Sequence, residues 1–188
     1  MSNTLSISPG TVPDLLEMTE LFDGHIRFMC DIYQESTELL LMKLRCADGI
    51  DDIDRITLYL DSDGGDVYAC LGLHDVIRTM SKPVTIIVGG IAASGASMIV
   101  LQAAEKRVAH EHTTIMLHEV SQMEFGRVTR SQIGDRKKEV DRLQEIVNTI
   151  ISKRSGMTTQ EVEDLFNRKD LFITAAEAKN YNLLDEVL

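Results

Sequence analysis

Residues 61–97 read DSDGGDVYACLGLHDVIRTMSKPVTIIVGGIAASGAS, and they hold two glycine-marked passages from strand to helix. The first follows RITLYL (55–60) and carries Gly64 and Gly65; the second follows VTIIV (84–88) and carries GIAASGAS at 90–97. Between them, Leu71, Leu73, Val76, Ile77 and Met80 give 67–80 the broad apolar face of a packed helix. Pro83 ends it, because proline disfavours helical geometry in the residue before it. VTIIV is β-branched and apolar throughout, as in a strand buried on both faces. Strand and helix in this alternation predict an α/β layer architecture with right-handed crossovers.

Each passage ends where a helix begins, so unpaired backbone N–H groups and the positive end of a helix dipole converge there. A serine at one passage, with backbone donors at both, is the arrangement acyl transfer needs to hold an oxyanion. Ser94 is the candidate nucleophile, and Ser97, one turn on, is the alternative on spacing alone. Gly64-Gly65 lacks the GKS/GKT ending and the GxGxxG spacing, so nucleotide binding is rejected.

Outward from this stretch the same alternation continues. Upstream, 13–22 fits a short helix with proline at its start, 25–29 alternates as a strand, and 33–47 is a largely buried helix. MSNTLSISPGTV (1–12) shows no periodicity and is expected to be a mobile arm. Downstream, 96–104 is apolar nearly all round and should be a buried helix. Residues 107–110 and 113–117 are strands. Residues 121–129 are polar and could be a loop or a short strand. A long helix over 131–154 is charged in its first half and apolar in its second, so its charged end is expected to project. TTQE (158–161) and TAAE (174–177) match capping boxes and start two short helices. Residues 167–172 read as a loop, and 182–188 as a closing strand.

The 188 residues suffice for one domain with a full core. A net charge of −11 argues against a nucleic-acid partner, and the basic residues of 127–138 are interspersed with acids, as on a solvated helix face. Cys30, Cys46 and Cys70 lack CxxC spacing, which points to a reducing compartment. No apolar run approaches the roughly 20 residues that span a bilayer, and no signal peptide is indicated. A cytoplasmic location without membrane association is expected.

A serine hydroxyl needs a base, itself oriented by a third group. Of the five histidines, His118 ends the apolar run TIML (114–117), and active sites of open α/β sheets lie at strand C-terminal ends. It is the best candidate base. His110 and His112 flank Glu111, but two histidines at i and i+2 without a third ligand make a weak metal motif. No cofactor and no metal are expected.

SDGGDV, GGIAASGAS, IMLHE and KDLFITAAEA, in that order, resemble the proteolytic subunit of the Clp protease, ClpP. That family carries a Ser-Pro-Gly-Gly turn, Gly-x-Ala-Ala-Ser-x-Gly/Ala, an apolar strand ending in His, and an Arg-Asp-x-Phe-(Leu/Ile)-(Ser/Thr)-Ala loop. The resemblance covers residue 22 to the C-terminus. It implies the ClpP/crotonase-like fold of repeated β-β-α units, with one peptidase domain over 13–188 and a projecting strand-plus-helix handle at about 121–154. It also implies a serine peptidase in which Ser94 is the nucleophile, His118 the base and Asp170 the carboxylate that orients it. The backbone N–H groups of Gly65 and Gly95 would form the oxyanion hole, and Phe125 and Gly126 would flank the substrate. The implied assembly is a homo-oligomer of two stacked seven-membered rings, a tetradecamer, acting on unfolded polypeptide.

Three departures stand out. Asp63 replaces the proline before Gly-Gly, and Gly95 replaces the usual Met, which a backbone donor tolerates. The N-terminal arm does not match the segment that engages an AAA+ unfoldase, which puts that partnership in doubt. Divergent and phage-encoded relatives depart in similar ways. A non-catalytic ring or scaffold subunit, or a crotonase-type acyl-CoA enzyme, are the competing functions. Ser94, His118 and Asp170 together weigh against both.

Overall fold

Strand β1 (His25–Phe28), β2 (Ile56–Ser62) and β3 (Val84–Ala93) lie side by side and parallel in the computed structural model, which describes residues 12–122 and 126–188. The expected arm, apart from Val12, falls outside these residues. β2 alternates strictly, with Ile56, Leu58, Leu60 and Ser62 buried and the residues between them half-exposed. β4 (Lys106–Ala109) and β7 (Glu186–Val187) extend the sheet in the order β1-β2-β3-β4-β7, all parallel.

Helices α1 (Val12–Phe22), α2 (Gln34–Asp48) and α3 (Val67–Thr79) connect or flank these strands. Leu40 and Leu44 of α2 and Leu73 and Ile77 of α3 are buried in the same core as Leu58, Ile86 and Val88 of the sheet. Right-handed parallel crossovers are how such helices return to the sheet.

β3 is longer than expected. The reading of a strand ending at Val88 is corrected: the chain continues extended through Gly89-Gly90 to Ala93 and changes partners there. Residues 84–88 pair with β2, and 85–88 with β4. Beyond the glycines β5 (Thr114–Leu117) takes the place of β4, with Ile91, Ala92 and Ala93 opposite Thr114, Ile115 and Met116, while Ala92 keeps a β2 partner in Ser62 across a register shift. The bend is held by Asp61, whose Oδ1 accepts from the Gly90 and Ile91 N–H groups at 2.6 and 2.7 Å. A Cβ at Gly89 would lie 2.5 Å from Asp61 Oδ2, so a side chain there would push aside the carboxylate that crosses the strand. One bent strand thus supplies both β segments of a β-β-α unit.

After β3 the chain enters α4 (96–103), which starts as one wide π-helical turn over Ala96–Val100 and goes on as α-helix over Leu101–Ala103. Every one of these residues is buried, as its composition requires. The loop expected at 167–172 is corrected in its second part. Leu171–Thr174 forms β6, antiparallel to β5, with Leu117 opposite Leu171 and Thr114 opposite Thr174.

Helix α5 (Arg130–Ser155) is capped by Thr129, and Gln132 returns the bond to the Thr129 N–H. Residues 130–135 are exposed, while Leu143, Val147 and Ile151 are buried, as the division of charge along it predicts. Gly156 ends it in the left-handed conformation, φ +82°. The handle's strand, expected within 121–129, is not formed by Ser121, Gln122 or residues 126–129, and the rest of that segment lies outside the described residues. Both TTQE and TAAE form the reciprocal bonds of a capping box at the starts of α6 (Thr159–Phe166) and α7 (Ala175–Asn180). Among the described residues no helix is long and apolar enough to cross a membrane.

Candidate active site

Strand register brings the three candidate side chains together. Ala93 is opposite Met116 in the β3–β5 pair, so Ser94 follows at the level where β5 ends in Leu117 and His118. Leu117 is opposite Leu171 across β5–β6, so the next residues outward, His118 and Asp170, also face each other. Ser94 Oγ lies 2.7 Å from His118 Nε2. His118 Nδ1 lies 3.9 Å from Asp170 Oδ1, within ion-pair reach but beyond a hydrogen bond. Asp170 is the more open partner, with 65% of its side chain exposed against 23% for His118.

Ser94 stands at a sharp change of chain direction. Its φ of +52° is left-handed, which costs a non-glycine residue about 1–3 kcal/mol and persists only where surrounding bonds enforce it. They do so here. The Ser94 N–H donates to the Met116 carbonyl at 3.0 Å, and its own carbonyl accepts from the Met98 N–H at 2.9 Å. Ser97, the alternative nucleophile, is 1% exposed, and its hydroxyl faces the Ser94 and Met116 carbonyls at 3.0 and 2.5 Å. Its hydroxyl is thus turned into the protein, away from any incoming carbonyl.

The glycine pair of the first passage closes over Ser94. A Cβ at Gly64 would meet the Ala93 carbonyl at 2.7 Å and Ser94 Cβ at 2.8 Å. Gly65, at φ +150°, would drive a Cβ to 2.2 Å from the Ile32 carbonyl, which is fixed by its bond from the Asp66 N–H. The N–H groups of Gly65 and Gly95 have no acceptor among the described residues. Asp66 caps α3 through the Ala69 N–H at 2.8 Å, which fixes the turn that carries Gly65.

Cys70 explains the glycine at 95. Its buried Sγ lies 2.4 Å from where a Gly95 Cβ would be, so a thiol on α3 fills the space a side chain at 95 would need. Burial, with a smaller push from the Asp66 charge, raises that thiol to about 12, so it packs as a neutral group. No sequence pattern marks this pairing, because 70 and 95 meet only through the packing of α3 on α4.

A cavity of about 290 Å³ opens beside Ser94 and His118, walled by Met98, Ile99, Val140 and Leu143. At its mouth Tyr68 donates to Glu139 at 2.6 Å, and Arg142 donates to both Glu139 oxygens at 2.9 and 2.6 Å. Arg142, with Tyr68 second, pulls the Glu139 carboxyl down to about 2. This exposed clasp ties the start of α3 to α5, and sequence gave no hint of it because Tyr68 and Glu139 are 71 residues apart.

The remaining candidates fall elsewhere. Gly126, at φ +90°, is exposed before α5 and does not line the cavity, and Phe125 lies outside the described residues. His25 stacks on Tyr59, His74 pairs with Asp75, and His110 and His112 are exposed. Among the described residues no group of three His, Cys, Asp or Glu side chains could hold a metal ion.

A family model described as Clp protease matches residues 15–188. The ATP-dependent Clp protease proteolytic subunit of Bacteroides fragilis is 36% identical over 159 residues, covering 84% of this chain and 74% of that protein. The ATP-dependent Clp protease proteolytic subunit 3 of a Synechococcus strain is 35% identical over 153 residues, covering 79% and 74%. A solved structure of a mutant ClpP1 from Listeria monocytogenes superposes with a TM-score of 0.81 at 25% identity, over 92% of this chain and 95% of that one. With its fold and nearly its whole length accounted for in this way, the chain belongs to the Clp protease family.

Proposed function

We propose that this chain is a serine endopeptidase that hydrolyses unfolded proteins or peptides inside a ring-shaped homo-oligomer. The observation that carries the reading is the 2.7 Å contact between Ser94 Oγ and His118 Nε2 at the ends of β3 and β5, beside an apolar cavity. Ser94 Oγ attacks the scissile carbonyl while His118 Nε2 takes its proton. The oxyanion is received by the Gly65 and Gly95 N–H groups. The proton then passes to the leaving amine, the acyl-enzyme forms, and a water activated by His118 releases the acid and frees Ser94. Asp170 orients His118 and stabilises its charged form. It must move inward by about 1 Å to reach hydrogen-bond range, a tightening common on substrate binding.

Assembly into two stacked seven-membered rings is the second part of the reading. Leu15, Leu16, Met18 and Phe22 of α1, with Leu39 and Met42 of α2, are exposed apolar residues of the kind that subunit contacts cover. The exposed charged end of α5 is the element through which two rings would meet. The relatives named above are called ATP-dependent; for this chain the reading stops at unfolded polypeptide and includes no ATPase.

The test pairs native mass spectrometry with hydrolysis of unfolded casein and of a fluorogenic peptide, for wild type and Ser94→Ala. The expected result is a fourteen-subunit particle that cleaves both substrates, and an assembled Ser94→Ala particle that cleaves neither. Equal rates for the two proteins would overturn the assignment of Ser94, and assembled but inert wild type would favour a scaffold subunit.

A further inference from the structure

Helix α4 begins in a register that needs support from elsewhere. In a regular α-helix the Leu101 N–H would bond the Ser97 carbonyl, four residues back. Here it reaches the Ala96 carbonyl instead, five residues back. The Ser97 carbonyl receives a side chain: Gln102 Nε2 donates to it at 2.9 Å and reaches the Leu183 carbonyl at 3.4 Å.

Gln102 is itself held. Its Oε1 accepts from Arg107 at 2.8 Å, and Arg107 is locked to Asp185 by its Nε at 3.1 Å, its second terminal nitrogen at 2.6 Å and its backbone N–H at 2.7 Å. Gln102 and Arg107 are 1% and 3% exposed. At the other end, the Ser97 hydroxyl sits between the Ser94 and Met116 carbonyls, and the Met116 carbonyl also accepts the Ser94 N–H. A continuous string of polar groups, buried from Arg107 through Gln102 to Ser97, therefore runs from the exposed Asp185 of the C-terminal segment, through the wide turn, to the backbone that keeps Ser94 at φ +52°. Such a string adds little to stability over apolar side chains of equal volume, and its distinctive property is to specify one arrangement.

We propose that Gln102, anchored by Arg107 and Asp185, is a positioning residue for Ser94, acting through Ser97 to hold the strained turn. The proposal rests on the reading of Ser94 as nucleophile for its catalytic consequence, though not for its structural one.

The test uses Gln102→Glu, Gln102→Leu and Ser97→Ala in the full chain, read by amide hydrogen exchange and by the rate of fluorophosphonate labelling. Gln102→Glu keeps an acceptor for Arg107 but removes the donor to Ser97. Exchange of the 94–98 amides should rise at least 10-fold in it while β1 and β2 exchange as in wild type, and labelling should slow by about 10- to 100-fold. Ser97→Ala and Gln102→Glu combined should slow labelling by less than the product of the single effects, because the two contacts, on the carbonyl and on the hydroxyl of Ser97, hold the same turn. Gln102→Leu should match Gln102→Glu, and if it does not fold, the other two variants carry the test. Exchange at 94–98 within twofold of wild type would overturn the proposal, as would an equal rise throughout the sheet. If wild-type Ser94 does not label but the exchange at 94–98 still responds, the positioning role stands and the peptidase reading fails.

Discussion

Replacing Gly95 with alanine sets two effects of opposite sign against each other. Gly95 has ordinary right-handed helical angles, φ −56° and ψ −29°, so alanine there restricts the unfolded chain without straining the folded backbone. That alone stabilises by about 0.4–1 kcal/mol. Against it stands Cys70 Sγ, 2.4 Å from the new Cβ and fully buried, so the thiol can turn aside only by displacing packed neighbours. Overpacking of this kind costs about 1–3 kcal/mol, and the steric effect wins. The net loss is about 1–2 kcal/mol, which lowers Tm by about 2–8 °C in a chain of this size. Cys70→Ala alone loses about 1 kcal/mol of buried surface. In the double variant the alanine methyl at 95 has room, since Cys70 Cβ is 3.4 Å away, so Gly95→Ala should turn neutral or stabilising. The assay is calorimetry of the four proteins at one protomer concentration, with an expected coupling of about 1–3 kcal/mol. Gly95→Ala that leaves Tm unchanged or raised with Cys70 present, or additivity within about 0.5 kcal/mol, would refute the reasoning.

Three further outcomes follow from other parts of the site and core. Asp170→Asn should lower kcat for a fluorogenic peptide by about 100-fold, less than the roughly 10⁴ of a tightly bonded triad, because the carboxylate sits 3.9 Å from His118. Gly65→Ala should lower Tm by more than Gly95→Ala and abolish labelling, since the Ile32 carbonyl it meets is backbone and cannot rotate away. For Asp185, burial raises the carboxyl but the Arg107 bonds outweigh it, and the net value falls below 3.8. A depressed carboxylate contributes stability above its unfolded value and loses it as pH falls toward the folded one. The Tm deficit of Asp185→Asn should therefore be full at pH 7 and shrink below about pH 4, as thermal melts across pH will report.

Elements whose signal is local were legible in the residues themselves. α3 and its stop at Pro83, β2 with its strict alternation, and the two capping boxes at Thr158 and Thr174 are all where the pattern puts them. The candidate base was legible because His118 ends an apolar strand, and Ser94 because it lies in a glycine-marked passage before a helix, where spacing alone left Ser97 as the alternative. What stayed hidden depends on tertiary pairing. β6 has too few alternating residues to declare itself and becomes a strand only against β5. β3 runs on through Gly89-Gly90, which reads as a break, because Asp61 bonds the bend from a neighbouring strand. Asp170 is an ordinary loop carboxylate until Leu117–Leu171 pairing sets it beside His118, so it became a candidate through resemblance alone. Cys70 against Gly95, and Gln102 behind Ser97, belong to the same class of facts.

Activation of Ser94 by His118 is tested by fluorophosphonate labelling of the purified, assembled protein. Wild type and Ser94→Ala are treated in parallel and read by intact mass. The expected result is one adduct per subunit in wild type, none in Ser94→Ala, and loss of labelling in His118→Ala. Assembled wild type that takes up no label, or Ser94→Ala that labels as well as wild type, would contradict it.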